Sequence, residues 1–259
     1  MNINSLFSLK GKCAVVVGGA GKIGFPMAES LAEAGAKVYI ASRHEKNYGP
    51  AVKKLQLEKL DVEGITFNQS DESCVIEVVE EISNNFKTPD ILINAGCYRP
   101  MQNFFDDTIE NWDKSMQVNA RGIFITCRVF GKAMAKEGKG SIINLSSIYG
   151  IVAPDMGVYE GSTFETEPDY PFLKGGIISF SRYLSSYYSK KNVRVNCISP
   201  GGFFNNQKDP FYSKYIEKTP LGRMASHNDM KGVALFLASD ASSYITGINI
   251  PVDGGWSAI

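Results

Sequence analysis

The sequence predicts an α/β fold in which a doubly wound parallel sheet lies between two layers of helices. Short apolar runs alternate along the chain with longer stretches of helical periodicity. A glycine-rich turn follows the first apolar run. Strands and helices that alternate in this way are joined by right-handed crossovers, which make the strands parallel. The length of 259 residues suits a single domain, spanning 1–259.

The elements follow one another with few interruptions. The wholly apolar run 13–17 is typical of a buried strand, and 23–34 has helical spacing and ends before Gly35. The other predicted strands are 38–41, 65–67, 91–94, 141–145, 193–198 and 248–252. The other predicted helices are 72–86, 112–135 and 173–188. Residues 200–223 have weak periodicity, which is typical of a loop that covers a binding site, so we place a substrate lid at about 202–224.

Composition and charge narrow the choice of partner. Lys plus Arg and Asp plus Glu both total 27, so nothing favours a nucleic-acid or membrane-surface partner. The five cysteines are scattered without a Cys-x-x-Cys pair, which argues against a disulfide framework or a metal site and fits a reducing cytoplasm. No stretch is long and apolar enough for a signal peptide or a membrane span. We therefore expect a soluble, cytoplasmic protein with a small-molecule substrate.

The glycine turn predicts a dinucleotide site. Gly18, Gly21 and Gly24 come directly after a strand and open a helix, with Lys22 and Ile23 between them. Glycine permits the tight turn and lets the backbone approach a pyrophosphate. The helix N-terminus then offers free N–H groups to the phosphates. This context indicates a Rossmann-like nucleotide-binding fold.

The end of the second strand favours NADP(H) over NAD(H). An NAD site usually has Asp or Glu there to bind the ribose hydroxyls. This strand ends in Ser42 and Arg43 instead, and Lys22 adds a second positive charge. A guanidinium pairs well with a 2′-phosphate. The alternative is that Arg43 and Lys22 are solvated loop cations.

Seven short motifs occur in an order that one enzyme family shares. They are the glycine turn, Asn94-Ala95-Gly96, Val118-Asn119-Ala120, Ser146-Ser147, Tyr170-x-x-x-Lys174, Ser199-Pro200-Gly201-Gly202 and Val252-Asp253-Gly254-Gly255. With them the chain resembles the single-domain branch of the short-chain dehydrogenase/reductase family, from about residue 9 to the C-terminus. The resemblance implies a three-layer α/β/α sandwich and an NAD(P)(H)-dependent oxidoreductase that interconverts a carbonyl and a secondary alcohol.

Tyr170 and Lys174 are the candidate residues for proton transfer. They lie one helical turn apart and face the same side. A nearby ammonium favours phenolate over phenol, which lets a tyrosine exchange protons near neutral pH. The resemblance implies that Tyr170 is the general acid/base and that Lys174 tunes it and holds the nicotinamide ribose. It also implies that Ser147 hydrogen-bonds the reacting oxygen and that Asn119 anchors a proton-relaying water. The alternative is a packed tyrosine and a surface lysine.

The resemblance assigns further cofactor contacts. The segment Asn94, Ala95 and Gly96 is expected to support the sheet and line the cofactor channel. Pro200 and Gly201 are expected to turn the chain beside the nicotinamide, and Asn205 stands where a threonine often meets the nicotinamide amide. Asn68 and Gln69 are expected near the adenine.

The chain departs from the family pattern ahead of the tyrosine. The usual spacing would put the tyrosine at Glu160, ten residues before Tyr170. Tyr159 lies close to that place, but Thr163 stands where its lysine would be. The extra segment, 158–169, carries four acids and is either a wall of the substrate pocket or a solvated loop. Lys22 also stands where short members usually have glycine.

The insertion resembles that of a bacterial subgroup associated with flagellin and surface-glycan sugar biosynthesis, which implies a keto-sugar or polyol substrate. Five residues are expected in the pocket or in packing: Cys97, Arg99, Phe203, Phe204 and Tyr212. The glycine spacing also suggests a sugar-nucleotide epimerase or dehydratase, but only about fifty-five residues follow Gly202, too few for the usual substrate domain. A non-catalytic NADP(H)-binding regulator is the other alternative. The resemblance further implies a homodimer or homotetramer.

Overall fold

The computed structural model describes residues 2–259. They form a sheet whose strands are β1 Cys13–Val17, β2 Lys37–Ser42, β3 Val62–Thr66, β4 Ile91–Asn94, β5 Gly140–Leu145, β6 Val193–Pro200 and β7 Asn249–Val252. The order across the sheet is β3-β2-β1-β4-β5-β6-β7. Every neighbouring pair is parallel. The predicted doubly wound parallel sheet is confirmed.

Helices cover both faces of this sheet. They are α1 Ile3–Phe7, α2 Gly24–Glu33, α3 Glu45–Leu57, α4 Glu72–Asn85, α5 Ile109–Ser115, α6 Arg121–Glu137, α7 Met156–Tyr159, α8 Asp169–Tyr188, α9 Phe211–Lys218 and α10 Lys231–Ala238. One apolar cluster joins one face of the sheet to α4, α6 and α8, with Phe130 fully buried in it. A second cluster joins the other face to α2, α3 and α10 around Leu31 and Leu55. The sheet is therefore the middle of three layers, as predicted.

Several predicted boundaries differ from the structure. The helix expected over 112–135 begins at Ile109, and a π-helical turn, Met116–Ala120, separates α5 from α6. The helix expected over 173–188 begins at Asp169, which places Tyr170 in its first turn. The strand expected over 65–67 is Val62–Thr66 and ends before Phe67. The helices α3 and α10 were not predicted, and α3 contains Pro50, a residue that rarely lies inside helices.

The region 200–223 is not one continuous loop. It contains α9, which has buried residues Phe211 and Tyr215 on one side. These pack with Val158 of α7 and with Trp256 near the C-terminus in a third apolar cluster. The extra segment before α8 and the expected lid are therefore parts of one packed unit.

The strand order fixes where a ligand can bind. Strands β1 and β4 are neighbours in the sheet, although β2 and β3 lie between them in the chain. The connections that follow β1 and β4 run to opposite faces of the sheet, which opens a crevice at the carboxyl ends of these two strands. Gly18 follows β1 and Ala95 follows β4, so both motifs lie at this crevice. Within residues 2–259, the longest apolar helices fall short of what crossing a membrane requires.

Candidate active site

Two clefts open at the carboxyl ends of the strands and share Lys22, Ile23 and Arg99 in their walls. The nucleotide cleft has a volume of about 660 Å³. The predicted site residues that line it are Gly18, Gly21, Lys22, Ile23, Gly24, Ser42, Arg43, Gln69, Ala95 and Gly96. The catalytic cleft has a volume of about 590 Å³. The predicted site residues that line it are Lys22, Ile23, Ser147, Tyr170, Gly201 and Asn205.

The glycine turn is shaped by close backbone contacts. A Cβ on Gly24 would lie 2.3 Å from the carbonyl oxygen of Gly18, and one on Gly21 would lie 3.1 Å from the same oxygen. Only glycine allows the turn to fold back on itself so tightly. Helix α2 begins at Gly24, where the N–H of Phe25 donates to the Gly21 carbonyl and Pro26 has no N–H. In the part of the chain that the structure describes, the N–H groups of Lys22, Ile23 and Gly24 have no backbone acceptor, and these residues line the nucleotide cleft. The residues present therefore fit the pyrophosphate of a dinucleotide.

Two cations border the nucleotide cleft without acidic partners. Arg43 follows β2 and is exposed, and its guanidinium carbon lies 5.5 Å from the centre of the Tyr98 ring. Lys22 lies in the glycine turn and is also exposed. Over residues 2–259, the salt bridges involve neither of them. Both charges are thus available to a phosphate group.

The structure brings Tyr170, Lys174 and Ser147 together beside the catalytic cleft. Lys174 is buried, and its ammonium donates to the carbonyl oxygen of Leu145 at the end of β5, at 2.9 Å. The same nitrogen lies 5.3 Å from the centre of the Tyr170 ring. The Ser147 hydroxyl accepts from the N–H of Tyr149 at 3.2 Å and keeps its own proton to donate. This arrangement can hold and protonate a carbonyl oxygen.

Asn119 lies in the π-helical turn and does not line either cleft. Its amide nitrogen donates to the carbonyl oxygen of Tyr98 at 2.7 Å and to the Ser115 hydroxyl at 3.0 Å. Its oxygen accepts from the N–H of Tyr98 at 2.8 Å. Ser115 in turn donates to the buried carboxylate of Asp169, which precedes Tyr170. Asn119 thus ties the loop after β4 to the start of α8, and its expected water stays a prediction.

Two predicted cofactor residues face the protein interior. The Asn94 amide donates to the Asn144 side chain at 2.8 Å inside the core. Pro200 is buried in the last position of β6 and pairs with Val252 of β7. These contacts support the sheet beneath the clefts, so neither Asn94 nor Pro200 lines them.

The residues expected near the adenine are also engaged by the protein. The side-chain amide oxygen of Asn68 accepts from the Ser70 hydroxyl at 2.9 Å, and Asn68 does not line the nucleotide cleft. Gln69 does line it, and its amide donates to the carbonyl oxygen of Val118 at 2.8 Å. Gln69 therefore braces the cleft wall between β4 and the helix that follows it.

Three further tyrosines line the catalytic cleft, and of these only Tyr159 lies in the segment 158–169 that was offered as a pocket wall. The Tyr149 and Tyr159 hydroxyls are hydrogen-bonded to each other at 2.6 Å, and Tyr215 accepts from the N–H of Gly202. Burial raises the pKa of Tyr215 to about 12 and also raises the pKa of Tyr149 and of Tyr159. All three hydroxyls stay protonated at neutral pH. Tyr159 is part of the wall of the catalytic cleft. The aromatic spacing within 211–215 was the signal that could have indicated this surface.

The acidic segment 158–169 has more than one role. Glu165 and Glu167 line the catalytic cleft, and Glu167 forms a salt bridge with Arg99. Glu160 points to solvent and pairs with Lys214 at 3.7 Å. The segment is therefore part of the pocket wall, with Glu160 as a solvated side chain within it.

The remaining expected pocket residues divide between the site and packing. Cys97 lines the nucleotide cleft and Phe203 lines the catalytic cleft. Phe204 and Tyr212 line neither and pack on each other, with ring centres 5.6 Å apart.

Comparisons with known proteins agree with this geometry. A family model described as enoyl-(acyl carrier protein) reductase matches residues 18–257. The 3-oxoacyl-[acyl-carrier-protein] reductase FabG of Chlamydia trachomatis is 34% identical over 95% of this chain and 98% of its own. Sorbose reductase of Candida albicans is 33% identical over 99% of this chain and 90% of its own.

Solved structures match over the full length. A gluconate 5-dehydrogenase from Burkholderia cenocepacia, in complex with NADP and tartrate, superposes with a TM-score of 0.90 at 25% identity and covers 100% of both chains. Together with the family match and the relatives, this shows that the chain belongs to the short-chain dehydrogenase/reductase family and is an NAD(P)-dependent oxidoreductase that interconverts a carbonyl and an alcohol.

Proposed function

We propose that this oxidoreductase acts on a keto-sugar or polyol, prefers NADP(H) over NAD(H), and uses Tyr170 as its general acid/base. The observation that carries the proposal is the placement of Tyr170 beside Ser147 in one cleft, with the buried ammonium of Lys174 5.3 Å from the tyrosine ring. When bound, the dinucleotide supplies or accepts the hydride. The protein groups handle the proton and the substrate oxygen.

Each of the three groups has a distinct part in this proposal. In the reducing direction, Tyr170 donates its phenolic proton to the carbonyl oxygen, and in oxidation it takes a proton from the alcohol. Ser147 donates a hydrogen bond to the same oxygen and fixes its position. Lys174 stabilises the phenolate by its positive charge, and its bond to the Leu145 carbonyl holds the ammonium in place. Asn119 would anchor the water through which protons leave.

The preference for NADP(H) rests on the charge at the nucleotide cleft. Ser42 is the last residue of β2, and Arg43 follows it. Both line the nucleotide cleft, as does Lys22 in the glycine turn. A 2′-phosphate there would meet one guanidinium, one ammonium and one hydroxyl, whereas NAD would find no carboxylate for its ribose. Gly96, Gln69 and the glycine turn would surround the rest of the nucleotide.

The substrate class is inferred from the wall of the catalytic cleft. Polar and charged side chains line it on one side, among them Arg99, Gln102, Glu165 and Glu167. Such groups bind several hydroxyls better than an acyl chain. The sorbose reductase and gluconate 5-dehydrogenase relatives support this choice, and the FabG relative makes a 3-oxoacyl substrate the second candidate. A role in flagellin or surface-glycan sugar biosynthesis is the context we propose.

The assembly and the compartment are further parts of the proposal. An aromatic face on α6 and α8 carries the exposed side chains Phe124, Tyr183 and Tyr187. Large exposed apolar patches mark interaction sites, so this face supports the proposed homodimer or homotetramer. All five cysteines are free thiols, which supports a cytoplasmic location.

A turnover panel tests the proposed function. Purified protein would be assayed in both directions with NADP(H) and with NAD(H). The substrates would be sorbose, fructose, sorbitol and galactitol, with an acetoacetyl thioester as the second candidate. We expect the enzyme to turn over the hydroxylated substrates with a higher kcat/KM for NADP(H) than for NAD(H). Ser147→Ala should lose this turnover. Turnover of the thioester alone would overturn the sugar assignment, and tight NADPH binding without any turnover would indicate a regulator.

A further inference from the structure

Arg99 lies between the two clefts and contacts the ring of Tyr170. It lines both of them, and its guanidinium carbon lies 4.6 Å from the centre of the Tyr170 ring. Lys174 is the other cation beside this ring, but it is buried and bonded to the Leu145 carbonyl. Lys22 also lines the catalytic cleft, but Arg99 is the exposed cation that contacts the Tyr170 ring, which places its charge next to the reacting oxygen.

Part of the guanidinium is free to bind a ligand. One terminal nitrogen, Nη2, donates to the Glu167 carboxylate. Over residues 2–259, the hydrogen bonds of Arg99 include no other acceptor for its Nε and Nη1 donors. The side chain is 48% exposed, so water or a ligand can reach these donors. An arginine carries five N–H donors in a planar fork, which matches a carboxylate in two parallel hydrogen bonds.

Glu167 holds the fork in position without covering it. Its side chain is only 15% exposed and comes from the acidic segment that forms the pocket wall. The ion pair and the Tyr170 ring fix the guanidinium from two sides, which lowers the entropy lost when a ligand binds. A lysine at this position would lack both the planar stacking and the two-point contact.

We propose that Arg99 binds a carboxylate of the substrate, an inference that rests on the proposed function. Within the proposed class, the preferred substrate is then a sugar acid, a polyhydroxylated hydroxy or keto acid, which the enzyme turns over more efficiently than the matching neutral polyol or ketose. The carboxylate lies on the free side of the Arg99 guanidinium while the reacting oxygen lies between Ser147 and Tyr170. Glu167 keeps the arginine in place and disfavours a second negative group on its own side.

Matched substrate pairs test this assignment. D-gluconate and sorbitol differ at C1 by a carboxylate against a hydroxymethyl group, as do D-galactonate and galactitol. NADP⁺-dependent oxidation of both pairs would be measured on the wild type, Arg99→Gln, Arg99→Lys and Arg128→Gln. Arg128 forms an exposed salt bridge with Glu72, lines neither cleft and is the matched control. Sorbitol 6-phosphate separates a carboxylate requirement from a general preference for anions.

We expect the wild type and Arg128→Gln to favour the acids over the alcohols by at least about tenfold in kcat/KM, which is about 1.4 kcal/mol. Arg99→Gln should remove the preference chiefly through KM, and Arg99→Lys should restore part of it. Thermal shifts with NADP⁺ present give a second readout, in which D-gluconate should stabilise the wild type but not Arg99→Gln.

Other results would overturn the assignment. Equal turnover of acids and alcohols, or an acid preference that survives in Arg99→Gln, would refute the carboxylate contact and leave the proposed function standing. Preference for sorbitol 6-phosphate over both acids would replace the carboxylate by a phosphate. Absence of turnover and of thermal stabilisation with every compound would overturn the proposed function together with this inference.

Discussion

Gly18 and Gly96 meet where β1 and β4 end, so closely that a Cβ on Gly18 would lie 2.6 Å from the Cα of Gly96. Gly18 also has a φ of 72°, in the left-handed region that favours glycine. The two glycines thus let the glycine turn approach the loop that follows β4, and both line the nucleotide cleft.

Gly18→Ala should therefore damage both stability and nucleotide binding. We expect the free energy of unfolding to fall by more than about 1 kcal/mol, because the added Cβ meets backbone and the backbone conformation is strained. The dissociation constant for NADPH should rise by at least about tenfold. Urea unfolding and NADPH fluorescence titration measure the two effects. Gly232→Ala is the control, since a Cβ there has nothing within 4 Å. Because Gly232 lies in α10, this variant should keep NADPH affinity unchanged and raise the free energy of unfolding by up to about 1 kcal/mol.

Arg43→Ala should remove the preference for NADP(H). The guanidinium is exposed at the cleft wall and free of salt bridges, so its loss should weaken NADPH binding by about tenfold, or about 1.4 kcal/mol, with little effect on NADH. Fluorescence titration with both nucleotides measures the ratio. Arg182→Ala, an exposed arginine on α8, is the control. If the wild type binds NADH as tightly as NADPH, the phosphate role of Ser42 and Arg43 is wrong.

Asp90 should contribute to stability in a pH-dependent way. Burial raises the pKa of its carboxyl, but the N–H of Cys13 and the ammonium groups of Lys87 and Lys139 outweigh this and hold the pKa below its ordinary value. A lowered folded-state pKa stabilises the fold above the ordinary value near 4 and loses this effect as the pH falls through the lowered pKa.

Asp90→Asn should thus be less stable than the wild type near neutral pH, by on the order of 1 kcal/mol. The difference should shrink as the pH falls below about 4. Urea unfolding from neutral to acid pH measures this difference in stability. The comparison is Asp106→Asn, a substitution of an exposed aspartate. A difference that is constant over this range would contradict the role given to Asp90.

The centre of the sheet was predictable from the sequence because β1 and β4 are buried at every position. Cys13–Val17 is apolar at every position, as expected for a parallel strand covered on both faces. Helix α3 escaped prediction because Gly49 and Pro50 lower its local helix propensity, while Val52 and Leu55 bury against the sheet and stabilise it. Tertiary packing decided the outcome there.

From spacing alone, the site was predictable only where residues stand close in the chain, and the family resemblance supplied distant residues such as Ser147. Tyr170 and Lys174 are one helical turn apart, so their shared face follows from spacing alone. Arg99 and Glu167 are brought together from distant segments, and so are Tyr149 and Tyr159 with α9. Spacing also could not show that Asn94 turns into the core, since that depends on its bond to Asn144 in the neighbouring strand.

The most direct test of the central claim compares Tyr170→Phe with Tyr244→Phe, a substitution of a fully exposed tyrosine that lines neither cleft. Both variants would be assayed for NADP(H)-dependent turnover of the best substrate and titrated with NADPH. We predict that Tyr170→Phe loses about 10²–10⁴-fold in kcat with unchanged NADPH affinity, while Tyr244→Phe behaves as the wild type. A Tyr170→Phe enzyme with wild-type kcat would contradict the assignment of Tyr170 as the general acid/base.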